Sequence, residues 1–256
     1  MGNIGYNWNF PDEKFKRQLA MKVIPYIYFI DKETVDKIQK ENIILEKKYK
    51  HKFTSNKINM KYYFWENSAC SFPGVRRYRG GEKKGEAPVQ TLQTDDNTYP
   101  KHIWYFLQLG RNVKIEKKSG WTLAHILDHK VYYQQRINDY FRNNPQLNLS
   151  DKDYLSGLYT SIPNTVYIPS VLAGITDENE YLRDLLVMIS QNLYIGTTLF
   201  PFGLNYNFTN ETKTNYEYSL VRHLIKIVNY NENNFKMFIN FRNNEYSLFE
   251  PVTNFV

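Results

Sequence analysis

The most constraining feature of the sequence is a stripe of apolar side chains in residues 177–194. Apolar residues recur there every three or four positions, the spacing that places side chains on one face of an α-helix. We therefore expect an amphipathic helix over Asp177–Tyr194 that packs its apolar face on the rest of a folded domain. The stripe consists of Tyr181, Leu182, Leu185, Leu186 and Ile189.

Other segments of the chain predict a mixture of helices and strands. Residues 11–50 are expected to be mainly helical, with a break at Pro25 because proline cannot donate a backbone hydrogen bond. Aromatic residues predict short strands over 61–65 and 235–241. Residues 120–128 predict a strand that leads into a helix. The mixture indicates a single α+β domain with additional helices.

The charge balance favours an anionic partner. The chain carries 33 Lys and Arg against 26 Asp and Glu, a formal net charge of +7. A positive surface of this kind accelerates association with nucleic acid or with acidic membrane surfaces. The alternative is that the lysines are solvated surface in a chain of Lys- and Asn-rich composition, with no particular partner.

Cysteine content and hydropathy restrict the compartment. Cys70 is the single cysteine, so neither an intrachain disulfide nor a cysteine-based zinc cluster can form, which favours a reducing environment. The first twelve residues lack the pattern of a signal peptide. The longest apolar run, Val23–Ile30, is too short to span a bilayer. The expectation is a cytoplasmic protein without a membrane partner.

The densest set of reactive side chains lies in Trp121–Lys130. His125 and His129 are four residues apart with Asp128 between them. Histidine suits general-base chemistry because its ordinary pKa lies near neutrality, and a carboxylate beside it can orient the ring or bind a divalent metal. On a helix the two imidazoles would share a face; at a strand end, Asp128 could instead cap the following helix. The residues alone leave both interpretations open.

A basic cluster lies in a long segment that is poor in apolar residues, 66–98. Arginine matches phosphate geometry with two hydrogen bonds, and an aromatic ring among cations can stack on a base. The cluster lacks the Gly-Lys-Ser/Thr of a P-loop, so nucleotide hydrolysis of that type is not predicted. A solvated loop without a ligand is the alternative. The candidate nucleic-acid-binding residues are Arg76, Arg77, Tyr78, Arg79, Lys83 and Lys84.

A third feature is a Pro163-Asn164 turn followed by a β-branched run. Pro-Asn is a strong turn signal, and an asparagine side chain often bonds the nearby backbone, which explains Asn164 structurally. The three features together resemble the HNH, or ββα-metal, nucleases. More narrowly, the run 76–183 is similar to a group of uncharacterised bacterial HNH-like proteins. The resemblance is carried by Ala124-His125-Ile126, by Asn164 within Pro-Asn-Thr-Val, and by Asp177 at the start of a helix.

The resemblance implies a fold and a division of roles. It implies a ββα-metal-like core in a catalytic and nucleic-acid-binding domain over 61–256, preceded by an N-terminal helical extension over 1–60. His125 would be the general base, and Asn164 would hold its ring in the working orientation. Most HNH nucleases place an acid directly before the base, where this chain has Ala124. The ligands for Mg²⁺ or Mn²⁺ would then come from Asp128, His129 and Asp177.

The function implied is a metal-dependent endonuclease that hydrolyses phosphodiester bonds of double-stranded DNA, as a restriction or defence enzyme that could act as a homodimer. One alternative is a non-catalytic nucleic-acid-binding protein that keeps the scaffold without the metal. Another is a metal-free base-excising restriction glycosylase, in which a histidine and an aspartate three residues apart act on a glycosidic bond. A structural or partner-binding protein with compositional charge is a further class.

Overall fold

A small mixed sheet with helices on both faces forms the centre of the protein, which is therefore an α+β fold, as the sequence predicts. The computed structural model describes residues 12–53, 69–73, 75–76, 93–94, 98–111, 120–127, 161–195 and 211–248. No helix within these ranges is both long enough and apolar enough to cross a membrane.

The main sheet has four strands in the order β4-β5-β1-β6. The central strand β5 is antiparallel to both β4 and β1, and β1 is parallel to β6. A separate pair, β2 and β3, is parallel. The strands are Tyr28–Ile30 (β1), Val75–Arg76 (β2), Gln93–Thr94 (β3), Trp121–His125 (β4), Thr165–Pro169 (β5) and Lys226–Val228 (β6).

Seven α-helices lie within the described ranges, and local signals explain where several begin. Asp12 caps the first helix by accepting a hydrogen bond from the Phe15 amide, and Pro25 lies in the 3-10 turn that follows that helix. The helices are Glu13–Val23 (α1), Lys32–Phe53 (α2), Thr98–Leu109 (α3), Ala173–Glu178 (α4), Glu180–Leu193 (α5), Glu211–Val221 (α6) and Glu232–Leu248 (α7).

Two hydrophobic clusters cover the two faces of the main sheet. Because successive side chains of a strand point to opposite faces, Leu123 and Tyr167 belong to one cluster, and their neighbours Ala124 and Val166 to the other. Helices α2, α3 and α7 supply the first cluster, and α1, α5 and α6 supply the second. The strand β4 is therefore fixed from both sides, which matters because His125 is its last residue.

The amphipathic helix is confirmed, but its start is not where the sequence predicts it. All five residues of the apolar stripe are buried. The helix α5 begins at Glu180, and the Asn179 side chain caps it by accepting a hydrogen bond from the Leu182 amide at 3.0 Å. Asp177 therefore does not open this helix. It lies in the last turn of the preceding short helix α4.

The prediction of a strand over 235–241 is wrong, because these residues belong to helix α7. The segment is rich in apolar residues, so a short window does not separate the two periodicities. The whole length of α7 does separate helix from strand, since its buried residues recur at three- and four-residue steps. They are Phe235, Phe238, Arg242 and Tyr246.

The N-terminal segment contains a strand as well as the predicted helices. Tyr28–Ile30 lies inside the main sheet, hydrogen-bonded to β5 on one side and to β6 on the other. One strand of the predicted N-terminal extension therefore belongs to the sheet that carries His125. The proposed boundary at residue 60, and the predicted strand over 61–65, lie outside the described residues.

Candidate functional site

His125 ends strand β4, opposite the first residue of β5. Its Cα partner across the antiparallel pair is Thr165. The strand interpretation of 120–128 is therefore confirmed for residues 121–125. The imidazole is half-buried, and its Nε2 atom is buried. The backbone of His125 is held by its pairing with β5, and its ring lies at the boundary between the core and solvent.

Asn164 holds the chain directly after His125. Its Oδ1 accepts a hydrogen bond from the Leu127 amide at 2.9 Å, and its Nδ2 donates to the Leu127 carbonyl at 3.2 Å. Its own carbonyl accepts from the Ile126 amide at 2.8 Å. Asn164 is 1% exposed, so these bonds are shielded from water. They fix the turn at residues 126–127, and with it the backbone position of His125.

The turn that carries Asn164 is itself held from two sides. Residues 162–164 form a 3-10 turn, in which the Asn164 amide donates to the Ser161 carbonyl at 3.0 Å. From helix α5, the Ser190 hydroxyl donates to the Pro163 carbonyl at 2.6 Å. From the opposite side, the Ile162 amide donates to the Ala69 carbonyl at 3.1 Å. The predicted Pro-Asn turn is confirmed, and its asparagine has a clear structural role.

Helix α4 follows β5 and packs against β4. Ala173 and Ile175 of α4 lie against the same apolar cluster as Ala124, which is 7% exposed. The residue directly before His125 is therefore part of the core. Asp177 is on α4, so its backbone belongs to the helix that lies next to the strand of His125.

Several of the predicted site residues lie in segments whose structure is not described. These are Asp128, His129, Arg77, Tyr78, Arg79, Lys83 and Lys84. Arg76 ends the short strand β2, paired with Thr94 of β3. The Asn164 bonds to Leu127 hold the end of the described range 120–127.

The structure adds a neighbour that sequence reasoning missed, the segment Ala69–Pro73. Cys70 forms an isolated antiparallel bridge with Ser161, three residues before Asn164. Phe72 is fully buried and its ring stacks on Tyr246 of α7. This segment directly precedes the basic cluster, which starts at Arg76. A signal was present in the sequence, since the apolar pair Cys70 and Phe72 interrupts an otherwise polar stretch.

Carboxylates and imidazoles are suitable ligands for a divalent metal, but the described residues do not assemble a complete set. Within them, no group of three or more His, Cys, Asp and Glu residues lies close enough to hold a metal ion. The predicted ligands Asp128 and His129 fall outside the described ranges, as does the side chain of Asp177. By residue type, the two carboxylates suit Mg²⁺ and Mn²⁺, whereas an imidazole is a more usual ligand of Zn, Cu, Fe and Ni.

Comparison with protein-family models, with curated proteins and with solved structures found no match for this chain.

Proposed function

We propose that this protein is an endonuclease of the HNH type that hydrolyses phosphodiester bonds of duplex DNA, with His125 as general base. The observation that carries the proposal is the clamp by which Asn164 holds the turn directly after His125. The two residues are far apart in sequence, yet the antiparallel pairing of β4 with β5 brings them to the same end of the sheet. The short helix α4, with Asp177, then packs on β4.

The basic cluster supports the same proposal through its point of attachment. Cys70 is bridged to Ser161 beside the Asn164 turn, and six residues of chain lead from Cys70 to Arg76. Six extended residues span at most about 20 Å. The start of the cluster is therefore tethered within about 20 Å of Cys70, which is bridged to Ser161 beside the Asn164 turn. One polyanion could contact both the cluster and the His125 strand end.

In the proposed reaction the imidazole of His125 takes a proton from a water molecule. The resulting hydroxide oxygen forms a bond to phosphorus, and the bond from phosphorus to the leaving oxygen breaks. That oxygen takes a proton from solvent and the His125 imidazolium returns its proton to solvent, so one water molecule is consumed for each cleaved phosphodiester. Asn164 contributes by holding the backbone that carries His125, since a displacement of about 1 Å can lower a rate a hundredfold.

A divalent cation is part of the proposal. Asp128, His129 and Asp177 would hold Mg²⁺ or Mn²⁺, which supplies stabilisation of the charge that develops on the phosphate. Ala124 has no donor atom and lies in the apolar cluster beside α4, so the proposal takes its ligands from the three residues that the resemblance implies.

Cleavage of DNA in the presence of Mn²⁺ is the experiment that tests the proposed function. The protein is incubated with long duplex DNA of mixed sequence, both unmodified and methylated, with MnCl₂ or with excess EDTA. We expect strand breaks with Mn²⁺ and none with EDTA. Intact DNA under all conditions would remove the nuclease proposal. Breaks that persist in EDTA and arise at abasic sites would instead favour the glycosylase alternative.

DNA binding is expected to weaken steeply with salt, because each phosphate contact releases counterions. The triple replacement of Arg76, Arg77 and Arg79 by glutamine should weaken duplex binding and make the logarithmic salt slope shallower by about one for each arginine that contacts a phosphate. Fluorescence anisotropy of a labelled duplex across a salt series measures both quantities.

A matched control removes three positive charges elsewhere. Lys14, Lys40 and Lys47 are exposed on α1 and α2, and their replacement by glutamine lowers the net charge by the same amount. Equal weakening by the two triple variants would mean that net charge alone drives binding, and would contradict a specific role of the cluster.

A further inference from the structure

Arg242 is a fully buried cation at the centre of helix α7. It is 0% exposed, and its Nη1 donates to Asn42 Oδ1 at 2.7 Å and to the Ser71 carbonyl at 3.3 Å. Its guanidinium lies over the Phe238 ring, 5.9 Å from the centroid. Among the described residues no carboxylate forms an ion pair with it. Burial lowers its pKa from the ordinary value.

A buried guanidinium whose described hydrogen-bond partners are neutral is costly, because neutral acceptors offset its desolvation only in part. Apolar side chains would fill the same space at lower cost. The contacts of Arg242 indicate what it does there, since both of its acceptors lie around the segment 69–73. Asn42, the first acceptor, donates in turn to the Cys70 carbonyl at 3.0 Å.

Helix α7 holds this segment at a second point. The Tyr246 hydroxyl, one helical turn after Arg242, donates to the Pro73 carbonyl. Phe72, between the two bonded carbonyls, packs edge-on against Phe238 at 5.7 Å between ring centroids. Residues 70–73 are thus bonded to α2 and α7 by side chains that are themselves buried. A short segment without helix or sheet of its own is held in one conformation.

The same segment forms one wall of the turn that carries Asn164. Ala69 accepts the Ile162 amide, and Cys70 is bridged to Ser161. Asn164 then bonds both polar groups of the Leu127 backbone, directly after His125. Buried hydrogen bonds therefore connect α7 to the strand end of His125 in three steps. They join α7 to the segment 69–73, that segment to the Asn164 turn, and that turn to Leu127.

We infer that Arg242 is a positioning residue for the His125 site, which acts by fixing the segment Ala69–Pro73 against the Asn164 turn. The inference rests on the proposed function in one respect only, because the proposed function is what makes the His125 site a catalytic one. Arg242 touches no substrate in this scheme. Its loss frees the 69–73 segment, loosens the Ile162 and Leu127 amide bonds, and moves both His125 and the start of the basic cluster.

The test is amide hydrogen exchange of the full chain, compared between wild type and Arg242→Met. We expect the Ile162 and Leu127 amides to exchange faster by about tenfold or more, the size that follows from losing a buried hydrogen bond to a charged group. The reference is the Leu182 amide, bonded to Asn179 in the other cluster, which should change much less. Equal acceleration of all three amides would show plain global destabilisation and overturn the inference.

Two further variants keep the test decisive. Tyr246→Phe removes the bond to Pro73 without removing a charge, so it replaces Arg242→Met in the test if that variant does not fold. We again expect the Ile162 and Leu127 amides to exchange faster, with a much smaller change at Leu182. Glu217→Gln is the matched control, because it disrupts a buried carboxylate paired with Arg17 between α1 and α6, away from the 69–73 segment. Selective exchange at Ile162 and Leu127 in the control variant would contradict the inference.

Cleavage assays add a readout that separates the inference from the proposed function. If the protein cleaves DNA, Arg242→Met should lower kcat, because His125 is displaced, and should raise KM less, because the cationic side chains of the basic cluster are all still present. Selective exchange without any nuclease activity in wild type would leave the positioning role intact and remove only the proposed function. Unchanged exchange in Arg242→Met and Tyr246→Phe would remove the positioning role whatever the activity.

Discussion

Replacement of Asn164 by alanine is expected to lower the free energy of unfolding by about 2–4 kcal/mol, since it leaves the buried amide and carbonyl of Leu127 without partners. Each unpaired buried backbone group costs about 1–3 kcal/mol. The turn after His125 should loosen, and DNA cleavage should fall by about a hundredfold, the effect of a misplacement of about 1 Å. Chemical denaturation and a cleavage assay measure the two effects.

Two comparisons show whether the effect comes from the clamp. Asn192→Ala removes a comparable side-chain bond, to the Met188 carbonyl at 2.8 Å, at an exposed position of α5, and should change stability by less than about 1 kcal/mol. Asn164→Asp keeps the acceptor for the Leu127 amide but cannot donate to the Leu127 carbonyl when ionised, so it should also destabilise. If Asn164→Ala were as harmless as Asn192→Ala, the clamp would not hold the turn.

The parts of the fold that the sequence predicts are those set by local patterns. The stripe of α5 and the Pro163-Asn164 turn each depend on residues a few positions apart, and both are confirmed. The prediction of a strand over 235–241 failed because a seven-residue apolar window fits both periodicities. The start of α5 had a visible signal, because Asn179 followed by Glu180 is typical of a helix N-terminus.

The candidate site is only partly predictable for the same reason. His125 at a strand end and Asn164 in a turn follow from neighbouring residues, but their proximity depends on the pairing of β4 with β5. The expectation that Asn164 orients the histidine ring comes from the family resemblance and stays a prediction; the bonds described here act on the Leu127 backbone. Arg242 and Asn42 are 200 positions apart, and nothing local marks a buried arginine as a partner of that asparagine.

Replacement of His125 by alanine is expected to lower the rate of DNA cleavage by a factor of about 10² to 10⁴, the contribution of a general base. Binding of DNA should persist, because the basic cluster is unchanged. The side chain is half-buried, so folding must be checked by thermal unfolding. His125→Asn is the second variant, because it retains more of the side-chain volume while it removes the base.

Cleavage of the same duplex by wild type, His125→Ala and His223→Ala, in Mn²⁺ and at equal DNA occupancy, tests the central claim most directly. His223 is an exposed histidine in the turn after α6, so its variant matches the loss of an imidazole without touching the proposed site. We expect wild type and His223→Ala to cleave at the same rate, and His125→Ala to bind DNA but to cleave it about 10² to 10⁴ times more slowly. Equal cleavage by all three proteins would contradict the role of His125 as the base.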